Sequence, residues 1–308
     1  MTAIVFVAVY AGALIFVAGC IRRVVQYART PIHLRWELYP VPHEEPSRVA
    51  HGGSYFEEDN WWTRPQHFSL SGELAAMIPE MLFLKALWEF NRRLWYASFL
   101  FHFGLYLVIG SALLLAITAA FGLLVPGATG LAAVLTFLSH VAGWAGAILV
   151  LVGATALLVR RLTSAELKNS AAPADIGNLI FFLVTFAVLI VGLELQPPGA
   201  GLRTVVRGLL TFQTGTPMGG VFAAGVVMAS ALAAYIPFTH MSHFIAKYFT
   251  YHEVRWDDRV NRRGGDIEAK LLPYFGYRPT WAAAHMHADG KKTWAEIVAI
   301  NPAAEVKK

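Results

Sequence analysis

The sequence predicts an all-α integral membrane protein with five transmembrane helices. Three observations carry that expectation. The 308 residues are 56% hydrophobic and only 15% charged, more apolar than a soluble domain of this size, so the excess must face lipid. Five segments reach the about 20 apolar residues that cross a bilayer: Ala3–Ile21, Leu94–Leu124, Leu131–Val159, Ile176–Leu195 and Gly219–Phe249. None of them alternates like a barrel strand, and glycine and alanine recur as they do where membrane helices pack closely.

The first segment ends in Val17-Ala18-Gly19-Cys20, which resembles a lipoprotein cleavage box. A secretory signal carries its positive charge ahead of the apolar run, whereas Arg22 and Arg23 come after it. Ala3–Ile21 is therefore expected to be a retained span. Arg22, Arg23, Arg29, Arg35, Lys85, Arg92 and Arg93 lie between spans one and two, Arg160, Arg161 and Lys168 between three and four, and Lys247 opens the tail. The opposite side has the uncharged turn Val125–Gly130 and a loop with Arg203 and Arg207. The positive-inside rule then sets the N-terminus outside and the C-terminus in the cytoplasm of a bacterial or archaeal cell, in its cytoplasmic (inner) membrane.

This divides the chain into a five-helix membrane domain, residues 1–249 with a cytoplasmic loop at 27–89, and a cytoplasmic tail, residues 250–308. Within the loop, prolines in TPIHLRWELYPVPHEEPSR oppose a continuous helix, and Leu74–Phe90 fits an amphipathic helix lying along the interface. The mixture of Trp, Tyr and Arg in the loop and tail suits docking of a cytoplasmic partner; interfacial loops and a solvated tail are the plainer alternative. A pI near 9.3 would suit nucleic acid, but the basic residues cluster beside spans, so none is expected. Cys20 is the only cysteine, so the chain cannot itself supply four thiolates for an iron–sulfur cluster, a disulfide or a covalent haem link.

Four of the eleven histidines fall within spans: His102, His140, His240 and His243. The others, His43 and His252 among them, read as surface histidines. Ionisable side chains inside a membrane are costly and point to function. His102 lies ten residues beyond Arg92, roughly 15 Å into its span, and His243 lies four residues before Lys247, also in the cytoplasmic half. Two histidines at matched depth on different helices can ligate one haem iron, with Gly104 and Ala246 leaving room for a flat macrocycle. His240, three residues before His243 on a shared helix face, is either the alternative ligand or a hydrogen-bond donor to a propionate or to a carbonyl freed by Pro237. His140 sits near the outer face and has three readings: a second haem with Met228, a quinone contact, or a hydrogen bond between helices. Glu194 and Gln196, at the outer end of span four, are candidates for a quinone site, Glu194 equally for an interfacial carboxylate. Arg92, Arg93 and Arg161 are candidates for propionate contacts, although the charge bias alone also explains them.

Two stretches resemble a known family. Asn91–Gly104, NRRLWYASFLFHFG, resembles the second-span signature of the haem b gamma subunit of respiratory nitrate reductase, and Pro237–His243, PFTHMSH, its last-span signature. The resemblance covers roughly Leu94–Phe249 and implies that His102 and His243 bind the haem nearer the cytoplasm. The histidines that hold the family's second haem correspond here to Ala112 and Gly225, so that haem does not carry over. The long first loop and tail look more like membrane cytochromes that accompany heterodisulfide-reductase-like iron–sulfur proteins, such as that of the sulfite-reductase-linked Dsr complex. The expectation is one subunit of a quinone-linked oxidoreductase, moving electrons between a quinone pool and a cytoplasmic iron–sulfur protein. Further membrane and cytochrome subunits are expected partners. One haem b is expected, with a second open, and the chain is not expected to complete catalysis alone. The contrasting expectation is a haem-free scaffold or transporter subunit whose histidines pack or relay protons.

Overall fold

The computed structural model describes residues 2–30, 41–52, 54–66, 68–125, 129–168, 171–280 and 282–300. Thus His33, Arg35, His67, the middle of the Val125–Gly130 turn and residues 301–308 of the expected tail lie outside the described residues. The helices begin with α1 (Thr2–Ala28), α2 (Pro46–His51), α3 (Leu70–Leu82) and α4 (Lys85–Phe90). They continue with α5 (Arg92–Leu124), α6 (Thr129–Thr163), α7 (Ala165–Lys168), α8 (Pro173–Glu194), α9 (Leu202–Leu210) and α10 (Gly220–Tyr235). After two single 3₁₀ turns come α11 (His243–Phe249), a π-helical turn at Thr250–Arg255, α12 (Asp266–Phe275) and α13 (Trp294–Val298). The only sheet among the described residues is a two-residue hairpin pairing Ala282 with Asp289 and Ala283 with Ala288.

Among the described residues, five helices are long and apolar enough to cross a membrane: Thr2–Ala28, Arg92–Leu124, Gly130–Thr163, Pro173–Glu194 and Gly220–Phe238. Their helical ends differ from the apolar ends. α1 runs seven residues past Ile21 and carries Arg22 and Arg23, because backbone hydrogen bonding continues after hydropathy falls. The last span does the reverse. Instead of one helix to Phe249, α10 stops at Tyr235 and the chain passes through 3₁₀ turns at Ile236–Phe238 and His240–Ser242. Pro237 cannot donate to the helical ladder, and Thr239 between the turns is extended, at φ −117° and ψ 177°. The expected interfacial helix over Leu74–Phe90 is likewise two pieces, parted at Leu84 with φ +53°. Side chains of α5 cover the carbonyls left open there: Trp95 Nε1 donates to Phe83 O at 2.7 Å and the Tyr106 hydroxyl to Met81 O at 2.8 Å.

The chain divides into two compact units. The first comprises Met1–Ile21 and Leu74–Ser242, the second Arg22–Glu73 and His243–Lys308. In the first, α5 and α6 cross antiparallel on small residues. A Cβ added at Gly104 would lie 2.7 Å from Val150 N and 2.8 Å from Gly146 O. One at Gly153 would collide with the Phe101 backbone. Gly104 therefore serves the helix crossing and not, as the sequence suggested, room for a macrocycle. Farther along the same seam the Ser111 hydroxyl donates to Ser139 O at 2.8 Å and Ser139 Oγ to Ser111 O at 3.0 Å. α8 and α10 also pack antiparallel, with Gly192 against Phe222 and Gly225 against Leu189. α1 runs parallel to the last span: Gly12 meets Ser230 and Gly19 meets Pro237, a constant offset along the two segments. The apolar core between α5, α6, α8 and α10 is Phe101, Val150, Leu179, Phe182, Phe186 and Leu232.

The second unit is a folded body with buried polar anchors. Glu44, 2% exposed, accepts from the Ser54 hydroxyl at 2.8 Å and from the backbone N–H groups of Val41 and Tyr55. Tyr55, Phe56 and Trp61 pack ring on ring, and Glu58 takes both Arg48 and Arg64. In its last segment Thr293 caps α13 by accepting from Glu296 N at 3.3 Å.

The glycine seam generates a prediction. Gly153→Ala should lower the thermal midpoint in detergent, with an overpacking cost of about 1–3 kcal/mol. Gly110→Ala, at a helical position with nothing within 4 Å of the added Cβ, should leave it unchanged or raise it slightly.

Candidate functional site

His102 owes its position to the start of α5. Asn91 Oδ1 accepts from Leu94 N at 3.0 Å and caps the helix, so part of the Asn91–Gly104 signature is a helix-initiation signal. One turn ahead of His102, Ser98 offers its carbonyl to His102 Nδ1 at 2.7 Å, with its hydroxyl at 3.3 Å. A carbonyl only accepts, so Nδ1 carries the proton and the lone pair resides on Nε2. The ring is half-buried, edge-on to Phe101 at 5.4 Å. His140 is anchored the same way, Nδ1 to Thr136 O at 2.8 Å, but it is exposed on the outside of α6. His243 is the first residue of α11, in the second unit, and its side chain is exposed.

His240 is not on a helix continuous with His243. Its Nε2 lies 3.3 Å from Asp175 Oδ1, while Asp175 Oδ2 takes Arg161 at 3.0 Å and Ala172 N at 3.0 Å. Pro173 at the first position of α8 and Asp175 two residues on explain the location, since a carboxylate in the first turn answers the open N–H groups and the helix dipole. One carboxylate thus gathers the ends of α6 and α8 and the turn after α10. Sequence reasoning missed Asp175, which lies inside a stretch read only as a span boundary. Its spacing from Pro173 was the one local signal.

The remaining candidates are dispersed. Arg92 stacks its guanidinium 4.6 Å over the Trp88 ring, and Arg93 is exposed in the first turn of α5. Gln196 is structural in part: its Oε1 accepts from Gly219 N at 2.7 Å, tying the end of α8 to the start of α10. Glu194 ends α8 and is exposed. A Cβ added at Gly225 would lie within 3.1 Å of Leu189, so the residue allows α8 and α10 to approach.

Among the described residues, three span-region side-chain atoms are buried without a hydrogen-bond partner: Arg160 Nε, Asn178 Nδ2 and Thr185 Oγ1. Asn178 and Thr185 lie on one face of α8 with Asp175, at intervals of three and seven residues. Among the described residues, no group of three or more His, Cys, Asp or Glu side chains is arranged to hold a bare metal ion. No family model matches the chain, and no curated protein shows detectable similarity to it.

The Asp175 junction is testable by a double-mutant cycle. Asp175→Asn and Arg161→Gln should each lower thermal stability, and the pair should show a coupling of about 1 kcal/mol, as for a half-exposed ion pair. Strict additivity in the melting data would mean that the contact contributes nothing.

Proposed function

We propose that the chain is a haem b membrane subunit that passes electrons between a quinone pool and a cytoplasmic iron–sulfur protein of heterodisulfide-reductase-like type. The observation that carries this reading is His102: a half-buried histidine in a membrane-length helix, with its tautomer set by the Ser98 carbonyl. A second-sphere acceptor that fixes the far nitrogen is how ligating histidines are usually oriented. His102 and His243 would hold the iron, as the resemblance of their two motifs implies.

Bound haem supplies the one-electron chemistry; the chain supplies ligation, burial and charge. The donor set suits an anionic macrocycle, because Arg160 Nε is a buried donor with no partner beside the paired Arg161. Arg160 and Arg93 would be available to the propionates, whereas Arg161 is paired with Asp175 and Arg92 stacks on Trp88. The basic residues beside the spans support an N-terminus outside, with the loop 27–89 and the C-terminal tail in the cytoplasm, where they would meet the soluble partner. The membrane would then be the bacterial or archaeal cytoplasmic membrane.

A second reading, a haem-free subunit that relays protons, draws on the Arg161–Asp175–His240 junction, which needs no haem. Absorption spectroscopy separates the two. Purified protein should give a reducible b-type spectrum that His102→Ala and His243→Ala each abolish, while His140→Ala retains at least one haem per chain. Full haem content in either ligand variant would refute the assignment.

A further inference from the structure

The second unit contains a chain of alternating carboxylates and imidazoles, buried at His43 and Glu73 and half-buried at Asp258 and His252, that the electron-transfer reading does not use. His43 is 6% exposed and Glu73 5%. His43 Nε2 lies 2.6 Å from Asp258 Oδ2, and its Nδ1 lies 3.3 Å from Glu73 Oε1. The other Glu73 oxygen lies 3.5 Å from His252 Nε2, and His252 Nδ1 donates to Tyr248 O at 2.9 Å. The order is Asp258, His43, Glu73, His252, joining residues 215 apart in sequence.

We propose that this chain is a pH-operated clasp. It fastens the segment 41–73, ahead of the second span, to the segment 248–259, behind the last one, and it loosens as the pH rises. Carboxylates only accept, and two face His43, Asp258 in a hydrogen bond and Glu73 in an ion-pair contact without hydrogen-bond geometry, so the doubly protonated imidazolium is the form that answers both. When it loses a proton, one ring nitrogen turns a lone pair toward a carboxylate, and a buried anion loses its counter-charge.

The charged groups around His43 reinforce this dependence. Glu44 and Glu45 adjoin it on its own segment; Glu73 faces it from α3; His252 and Glu253 come from the π-helical turn, and Asp257, Asp258 and Arg259 from the residues after it. The cation in this group with no physiological titration, Arg259, is committed to Asp257 at 2.8 Å and Glu253 at 2.6 Å, contacts that hold its guanidinium firmly protonated. The carboxylates of Glu73 and Asp258 therefore face the imidazoles. An imidazolium that gives up its proton no longer answers the carboxylates it faces, so the contacts that close the clasp weaken as pH rises. A cleft of about 330 Å³ opens beside the cluster. Phe68 stacks on His43 at 5.8 Å and Trp256, 5% exposed, meets its edge at 6.5 Å, so release of the clasp uncovers Trp256.

Hydrogen exchange of the full chain in nanodiscs, from about pH 5.5 to about pH 8.5, tests the proposal across the histidine range. After correction for intrinsic exchange, uptake in peptides covering 54–66 and 250–259 should rise about tenfold, the scale set by a charge-assisted hydrogen bond. His43→Gln should raise uptake at low pH and remove the dependence; Asp258→Asn, which keeps the imidazole and removes one partner, should weaken it. A wild-type profile that is flat after correction overturns the clasp. So does full pH dependence retained in His43→Gln or, should that variant not fold, in Asp258→Asn.

Discussion

The close antiparallel crossing of α5 and α6 is the contact on which the first unit depends. Lipid removes the hydrophobic drive that pairs helices in water, so association rests on van der Waals contact and on hydrogen bonds between helices. Gly104, Gly146 and Gly153 allow that contact, and the reciprocal Ser111–Ser139 bonds extend it along the seam. The crossing fixes the rotation of α5, and so presents Ser98 and His102 on one face while Trp95, Phe99 and Phe103 stack along another. The parallel pairing of α1 with the last span repeats the device, with Gly12 and Gly19 as its contacts.

Against this apolar packing, the polar groups stand out by their cost. Asp175 meets that cost with Arg161, His240 and a backbone amide. Asn178 Nδ2 and Thr185 Oγ1 do not, for both are buried and make no hydrogen bond. Thr118 and Thr136, on α5 and α6, return theirs to the preceding turn. A helix face that keeps such groups inside a membrane bundle gives up stability, which is the usual sign of a functional surface.

The number and approximate position of the spans were legible because membrane thickness imposes a length that composition reveals. Their ends were less so. α1 continues through Arg22 and Arg23 because helical hydrogen bonds outlast the apolar run, and the last span breaks earlier because Pro237 removes a donor. The histidine face expected from three-residue spacing dissolved with that break. Gly104 and Gly225 show a second limit: a glycine is visible in sequence, but the helix it admits is not. Hardest to read was the second unit. His43 reads as a surface histidine beside two glutamates, and its burial depends on Asp258, which nothing local in the sequence announces.

The proposed ligation of a haem iron by His102 and His243 can be read directly by low-temperature electron paramagnetic resonance of the oxidised, purified chain. A low-spin ferric signal of bis-imidazole type is the expected result. A purely high-spin haem signal, or a haem-free protein that is folded and monodisperse, would contradict it.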